Sequence, residues 1–572
     1  MRSTRRAERA EGLAGIVGLV VMLGAGALAW QALPPVPTTP AFRGAGHTTP
    51  QRGGTLVVHH EDDARSYDPA VAYDEISSMG LKLMNETLLD YTTQLEFEPR
   101  LAEAMPVQSP DGRTFTFTLR EGIRFHNGRL LEAEDIRYSM ERMLHPDMAS
   151  PGAVFFSALE GYEEFHAGRA SHVRGIQVLD ARTIRFVLSE PQQTFLNALA
   201  LNFAAPVPRE AVEAMGERFA RHPVGVGAFR FESWEPGLRA TFVRHEQFFL
   251  EGQPYLDRIV IELNLNRGPA FLRFQAGDLD HMHRFAPTDN LWIHRQEAWQ
   301  PTLHDSPNLD MWGVGMNTEI APFDELHVRR AVAFAINRAA WRRARANRLI
   351  VLGQPIPANM PGHFDDLRGD QHYDLDAARE EMRIGGHQVQ RVDGRYVARG
   401  LEEAIEVWVG AGDTGRAYGE LIQNDLAAIG LNIEIRQVAF PIYLAETGRR
   451  HTVGLFLTGW SADYPDPSNF LDTLFHSRSI HETASENRTF YANPEVDALL
   501  DRARVESNRE ARLTLYRQAE EIIVHDAPWA FAFSNLVTDV WQPYVRGYEV
   551  HPVWRPLYRD VWLDLPRVEN PR

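Results

Sequence analysis

The stretch GELIQNDLAAIG followed directly by LNIEIRQV, residues 419–438, constrains the fold more than any other part of the chain. Its first half carries apolar residues at helical spacing, Gly430 supplies a helix stop, and the second half alternates as a strand does. A helix, a glycine and a strand in succession form the repeating unit of an α/β sheet. The same alternation runs through most of the sequence. TLVVHH reads as an opening strand, and TFTFTLREGIRF, after the turn SPDGR, reads as a half-buried strand. AEDIRYSMERML is an amphipathic helix with acidic residues in its first turn. RGIQVLDARTIRFVL is a hairpin turning at Asp180 and Ala181, FRFESW is a strand entered through GVGAF, and VRRAVAFAINRAAWRRA is a helix. No period of 20 to 50 residues recurs, which excludes solenoids and propellers.

With 572 residues the chain exceeds a single core, so two or more domains are expected. A net charge of −18 argues against a nucleic-acid partner. Without cysteine there is no disulfide, no thiolate metal site and no cysteine nucleophile. The N-terminus is arginine-rich and continues into the uncharged apolar run Leu13 to Leu33, a signal peptide or a membrane anchor that places the rest outside the cytoplasmic membrane. Glu8 and Glu11, following Arg5 and Arg6, disfavour a twin-arginine signal. Residues 34–52, rich in Pro, Gly and Thr, read as a flexible spacer, and the folded part is expected from Gly53.

Catalytic signatures are missing. There is no GxxxxGK[ST], no HExxH and no GxSxG, because GWSAD lacks the second glycine of a nucleophile elbow. His59, His60, Glu61 and Asp62 form a candidate metal cluster, but neighbours on a strand face opposite ways, so His59 and His60 are not expected to share an ion. His281 and His283 do share a face, yet no third ligand is evident. The expectation is therefore binding without catalysis, metal or cofactor; a hydrolase of the same fold is the disfavoured alternative.

Nine segments in order, among them SYDPA, MNETLLDY, FHNG with AEDIRYS, HPVGVGAFRFESWEPG, GVGMNTEIAPFDELHVRRAVAFAINR and GWSADYPDP, resemble the bacterial extracellular solute-binding proteins of family 5. These are the dipeptide- and oligopeptide-binding components of ABC importers. The resemblance implies a type II periplasmic-binding-protein clamshell. The large lobe would be residues 53–308 and 534–572, with an inserted subdomain at about 95–220, and the small lobe residues 309–533. The chain would cross between lobes twice, near 308–316 and 529–535. It also implies a peptide ligand delivered to a membrane permease with its ATPase, although relatives that bind nickel complexes, haem, sugars or opines leave the solute open.

GWSADYPDPSNFL, residues 459–471, follows a buried-strand pattern, and the end of such a strand is where α/β sheets display ligand-binding groups. By resemblance, the backbones of Gly459 and Ser461 would pair with an extended peptide while Asp463 takes its α-ammonium. The alternative for Asp463 is a local Asx turn or cap, the role assigned to Asp466. Trp460 is either core or an aromatic wall of the ligand site. Arg416 is the match for the arginine that takes a dipeptide carboxylate, and Arg449 with Arg450 stand near the position used for longer peptides, unless they are simply a solvated loop. Tyr73, Asp74 and Glu75 resemble the segment that meets the ligand from the large lobe.

Overall fold

A computed structural model describes residues 44–367 and 371–566. The apolar run of the N-terminus lies outside them, and no described helix is long and apolar enough to cross a membrane. The chain opens with strand β1 (Thr55–His59) and helix α1 (Glu75–Met84). It then builds a separate antiparallel sheet from β2 (Val107–Gln108), β3 (Thr114–Thr118), β4 (Ile176–Asp180) and β5 (Thr183–Val187), in the order β2-β3-β5-β4. Helix α2 (Ala133–Leu144) lies between β3 and β4 in sequence; Phe115, Phe117, Ile136, Met140, Ile184 and Phe186 join the two layers in one buried core. The two phenylalanines of β3 alternate with its more exposed threonines, as the sequence pattern requires.

The first sheet resumes with β6 (Phe229–Glu235), β7 (Arg239–Arg244) and β8 (Arg258–Glu262), in the order β1-β8-β7-β6, with β1 and β8 parallel. Its core includes Val545, Tyr548, Tyr558, Val561 and Leu563, so the C-terminal segment packs beside the first strand. The expected spacer is not wholly free. Ala45 donates to the Asp564 carbonyl at 2.9 Å, and the amides of Gly46 and His47 donate to the Asp564 carboxylate at 3.0 Å each. A buried carboxylate needs such donors, and the spacer's backbone provides them.

The second large sheet is mixed. It contains β9 (His281–Met282), β10 (Leu303–Pro307), β11 (Asp310–Met316), β12 (Leu349–Val351), β13 (Ala404–Gly410), β14 (Asn432–Val438), β15 (Leu455–Ser461) and the long β16 (Trp529–Trp541). The main path runs β9-β16-β11-β15-β13-β14, with β10 and β12 also on β16. β16 serves both parts of the molecule: Trp529–Phe533 pair with β11, whereas Leu536–Val540 pair with β10. Between these registers the chain crosses twice, once from Pro307 to Asp310 and once around Ser534 and Asn535.

Helix α5 (Asp413–Ala427) connects β13 to β14, and Gly430 beyond it takes the left-handed φ of 83° expected of a helix stop. The helix read over 328–344 is instead two, α3 (Leu326–Ala335) and α4 (Arg338–Ala344). Asn337 breaks the pattern by accepting the amide of Ala340 at 3.0 Å, as an N-cap does.

Candidate ligand site

Because β13, β14 and β15 are parallel to one another, their carboxyl ends lie on one edge of the sheet. From that edge project the start of α5, the start of α6 (Phe440–Thr447) and the GWSADYPDP loop. β15 is paired along its whole length with β11, from Leu455 opposite Met316 to Ser461 opposite Asp310. On its other side β13 pairs only with Leu455 and Phe456. From Leu457 onward that side has no strand partner among the described residues. The Leu457 carbonyl accepts the Tyr443 hydroxyl at 2.5 Å, whereas the Ala462 amide turns the other way, to the Leu309 carbonyl at 2.8 Å. Alternate residues of a strand direct their polar groups to the same side, so Gly459 and Ser461 share the free edge with Leu457. Gly459 is required here, since a Cβ would stand 2.4 Å from the Trp312 ring.

Asp463 follows one turn of chain later. Its backbone amide donates to Asn469 Oδ1 at 3.0 Å, and its Oδ2 accepts from Asn469 Nδ2 at 3.1 Å. The Trp460 indole N–H donates to the same Asn469 oxygen at 3.0 Å, and its half-buried ring packs on the core beneath. Trp460 thus holds Asn469, and Asn469 holds Asp463. The other carboxylate oxygen accepts from the Tyr73 hydroxyl, which reaches it from the opposite lobe. Burial pushes the Asp463 carboxyl above the usual range, and the Tyr73 and Asn469 hydrogen bonds only partly oppose this. Asp466 takes the local role expected of it, accepting from the Ser468 amide at 3.0 Å, and it also holds Arg512 at 2.6 and 2.8 Å.

Tyr73 itself packs on Phe203 with ring centroids 5.5 Å apart and remains 51% exposed. Two further contacts join the same surfaces: Phe155 meets the edge of Tyr464 at 6.2 Å, and Glu190 pairs with Arg504. The lobes are therefore in contact over the site.

The remaining expected site residues fare differently. Asp74 is a helix cap rather than a ligand group: its two oxygens accept from the Ser77 amide at 2.9 Å and the Ser77 hydroxyl at 2.8 Å. Glu75 pairs with Arg284 and faces His283 Nε2 at 3.7 Å. Arg416 lies in the first turn of α5, at the correct edge, but is exposed and donates to Glu420 at 3.0 Å. Arg449 and Arg450 are at the wrong end. They precede β15, a seven-residue strand spanning about 20 Å, whose far end carries the site. Arg450 is bound there to Glu319 at 2.6 Å and Glu482 at 3.0 Å, and Arg449 to Glu446 at 3.2 Å. The aromatic layer below Gly459 was missed. Trp312 stacks on Phe533 at 6.2 Å, Phe533 on Tyr418 at 5.2 Å, and Arg345 covers Tyr418 at 5.5 Å. The aromatic content of DMWGVGM and WAFAFSN was the available signal.

Also missed was a group drawn from three segments. His60, Glu75 and His283 bring one ligand atom each within 4.8 Å of one another, so the third partner absent from the sequence pattern is Glu75 with His60. Partial desolvation opposes ionisation of Glu75, but His283 and Arg284 outweigh it and hold the carboxyl down to about 2. Burial and the neighbouring imidazole of His283 lower His59 to about 3, and the same causes lower His60. His281 is otherwise engaged: its Nε2 donates to Asp539 at 3.2 Å and its Nδ1 lies 2.8 Å from the Tyr558 hydroxyl.

A family model of the bacterial extracellular solute-binding proteins, family 5, matches residues 96–482. The chain belongs to this family. It is 26% identical over 492 residues to "Di/tripeptide-binding protein 2" of Pseudomonas aeruginosa, covering 82% of this chain and 86% of that one. It is 28% identical over 490 residues to "Heme-binding protein A" of Haemophilus influenzae, covering 82% and 84%. Among solved structures, the clavulanic acid biosynthesis oligopeptide binding protein 2 superposes with a TM-score of 0.81 at 26% identity, over 92% of this chain and 100% of that one. DppA from Helicobacter pylori, in complex with the peptide STSA, gives 0.71 at 25% identity over 90% and 99%. The fold of the solute-binding protein is thus the clamshell with its extra subdomain.

Proposed function

We propose that the protein captures peptides between its lobes as the binding component of an ABC importer, and does so without catalysis. The observation that carries this reading is a half-buried carboxylate with two neutral donors set just beyond an unpaired strand edge. Neutral donors leave the charge of Asp463 uncompensated, and a peptide α-ammonium supplies the missing charge. The free edge of Gly459 and Ser461 then accepts the peptide backbone as an added strand, which makes recognition largely independent of side chains. Relatives named for di- and tripeptides and for dipeptides support the same substrate class. A haem ligand fits less well, since its carboxylates would meet Asp463 rather than a cation.

Arg416, in the first turn of α5 at the same sheet edge, would receive the carboxylate of a short peptide by exchanging Glu420 for the ligand. Lobes of 53–308 with 534–572, and of 309–533, accord with the two registers of β16 and with the core formed by both chain ends. The apolar N-terminal run would export the chain or tether it at the outer face of the cytoplasmic membrane, where it would meet a permease driven by its ATPase.

Calorimetry with a free and an N-acetylated peptide tests the reading. Asp463→Asn keeps the shape but leaves a buried ammonium unpaired, which costs about 3–5 kcal/mol, or roughly a hundredfold to several-thousandfold in affinity. The acetylated peptide should bind weakly to both proteins. Unchanged affinity of the variant for the free peptide would reject the anchor.

A further inference from the structure

We propose that His60, Glu75 and His283 form a binding site for a borderline divalent transition ion of the Zn2+ class in the wall of the large lobe. The site lies apart from the peptide anchor, although Glu75 begins the helix two residues after Tyr73. Three observations converge on it. The first is proximity: groups whose ligand atoms lie within 4.8 Å of one another fit a circle of radius about 2.8 Å, so movements under about 1 Å bring them to the 2.0–2.2 Å bonds of zinc.

The second is a set of orphaned nitrogens. His60 and His283 are 3% and 4% exposed, and the Nε2 atom of each is buried without a hydrogen-bond partner. A buried polar atom in this condition is costly unless something outside the chain satisfies it. Nearby His59 repeats the pattern. Its Nδ1–H donates to the Leu265 carbonyl at 3.3 Å, its Nε2 is left with a free lone pair and no partner, and its ring centre is 6.3 Å from that of His283.

The third observation concerns the groups that orient the ligands. Arg284 occupies one oxygen of Glu75, leaving the other, 3.7 Å from His283 Nε2, to face the ion. His60 Nδ1 accepts the Asp62 amide at 3.0 Å, so the imidazole carries its proton on Nε2 in the metal-free chain. Loading through Nε2 requires that proton to pass to Nδ1 and the Asp62 amide to turn away to solvent, which leaves the exposed Asp62 carboxylate, now 4.0 Å away, to close in as the acceptor of Nδ1–H. This gives the carboxylate–histidine–metal arrangement that commonly orients a ligating imidazole. Two imidazoles and one carboxylate suit zinc and exclude magnesium, which requires an oxygen-rich octahedral shell. Glu75 is exposed while both histidines are buried, so the open coordination positions lie on the Glu75 side.

The test is a calorimetric titration of the EDTA-stripped full-length chain with ZnCl2 and, separately, MgCl2, repeated on His60→Ala, His283→Ala, Glu75→Gln and the exposed control His304→Ala. One Zn2+ per chain is expected, with affinity lowered at least about tenfold in the three site variants and unchanged in the control. No Mg2+ uptake is expected. X-ray absorption of the zinc-loaded wild type should show two imidazoles and oxygen, which decides the matter even if an alanine variant does not fold. Absence of Zn2+ uptake, equal affinity in all variants, or a zinc shell without two imidazoles would overturn the site.

Discussion

Two aspartates stand at the same end of neighbouring strands and have opposite fates. Asp310, opposite Ser461 in the ladder, is 3% exposed and accepts from five donors: Asn308 Nδ2, Trp312 Nε1, the Ser534 hydroxyl, and the amide and side chain of Asn535, at 2.6 to 3.2 Å. Asp463 has two donors, one of them carried by the other lobe. A carboxylate saturated by its own neighbourhood ties segments together, here the two crossings between lobes. A carboxylate left short of partners keeps capacity for something that arrives.

The largest expected effect belongs to the saturated member. Asp310→Ala orphans five donors, four partly buried and the Ser534 hydroxyl fully so, and should lower unfolding stability by about 3–5 kcal/mol, measured in urea, whereas Asp463→Ala should leave it nearly unchanged. Equal losses would erase the distinction. A smaller effect concerns pH. The Asp463 carboxyl is raised in the folded chain, so its contribution to stability is greatest below the ordinary carboxylate range and is lost as pH rises through the raised value. At a pH above the raised value the full cost is present, and there Asp463→Asn without ligand should melt at a higher temperature than wild type. Peptide affinity runs the other way, falling as acidification neutralises the carboxylate, and should do so at a higher pH than an ordinary aspartate would give. Calorimetry across pH checks this. The smallest effect is that of Tyr73→Phe, which removes one hydrogen bond worth about 1 kcal/mol between the lobes. Scattering should then report a larger mean radius of gyration for the empty protein, and no change would mean that the other contacts hold the lobes shut.

What could be read from sequence follows the range of the forces involved. Helix α2 occupies the residues its pattern marks, because its acidic first turn and 3.6-residue spacing are local. That a strand ends at Ser461 with a carboxylate just beyond it was legible because strand, loop and Asp463 lie within nine residues. The break at Asn337 was not, since its apolar spacing runs on through both helices while a single side chain ends the first hydrogen-bond ladder. Arg449 and Arg450 misled for a related reason: closeness to β15 in sequence is closeness to its far end. Asp74 carries the signature of a cap, and its local role won over the resemblance. The cluster of His60, Glu75 and His283 joins residues as much as 223 positions apart in the sequence, and only the packing of β1, α1 and β9 brings them together.

The unpaired side of β15 has a consequence for how the protein meets its own copies. Exposed strand edges invite other chains to add themselves, and secreted proteins must keep such edges from recruiting their own kind. Here the lobes meet just past the edge, through Tyr73 on Asp463, Phe155 on Tyr464 and Glu190 on Arg504, which narrows the approach of a second chain to it. Contact between the lobes thereby acts as a guard against self-association, and a molecule held open would be the one at risk of forming aggregates.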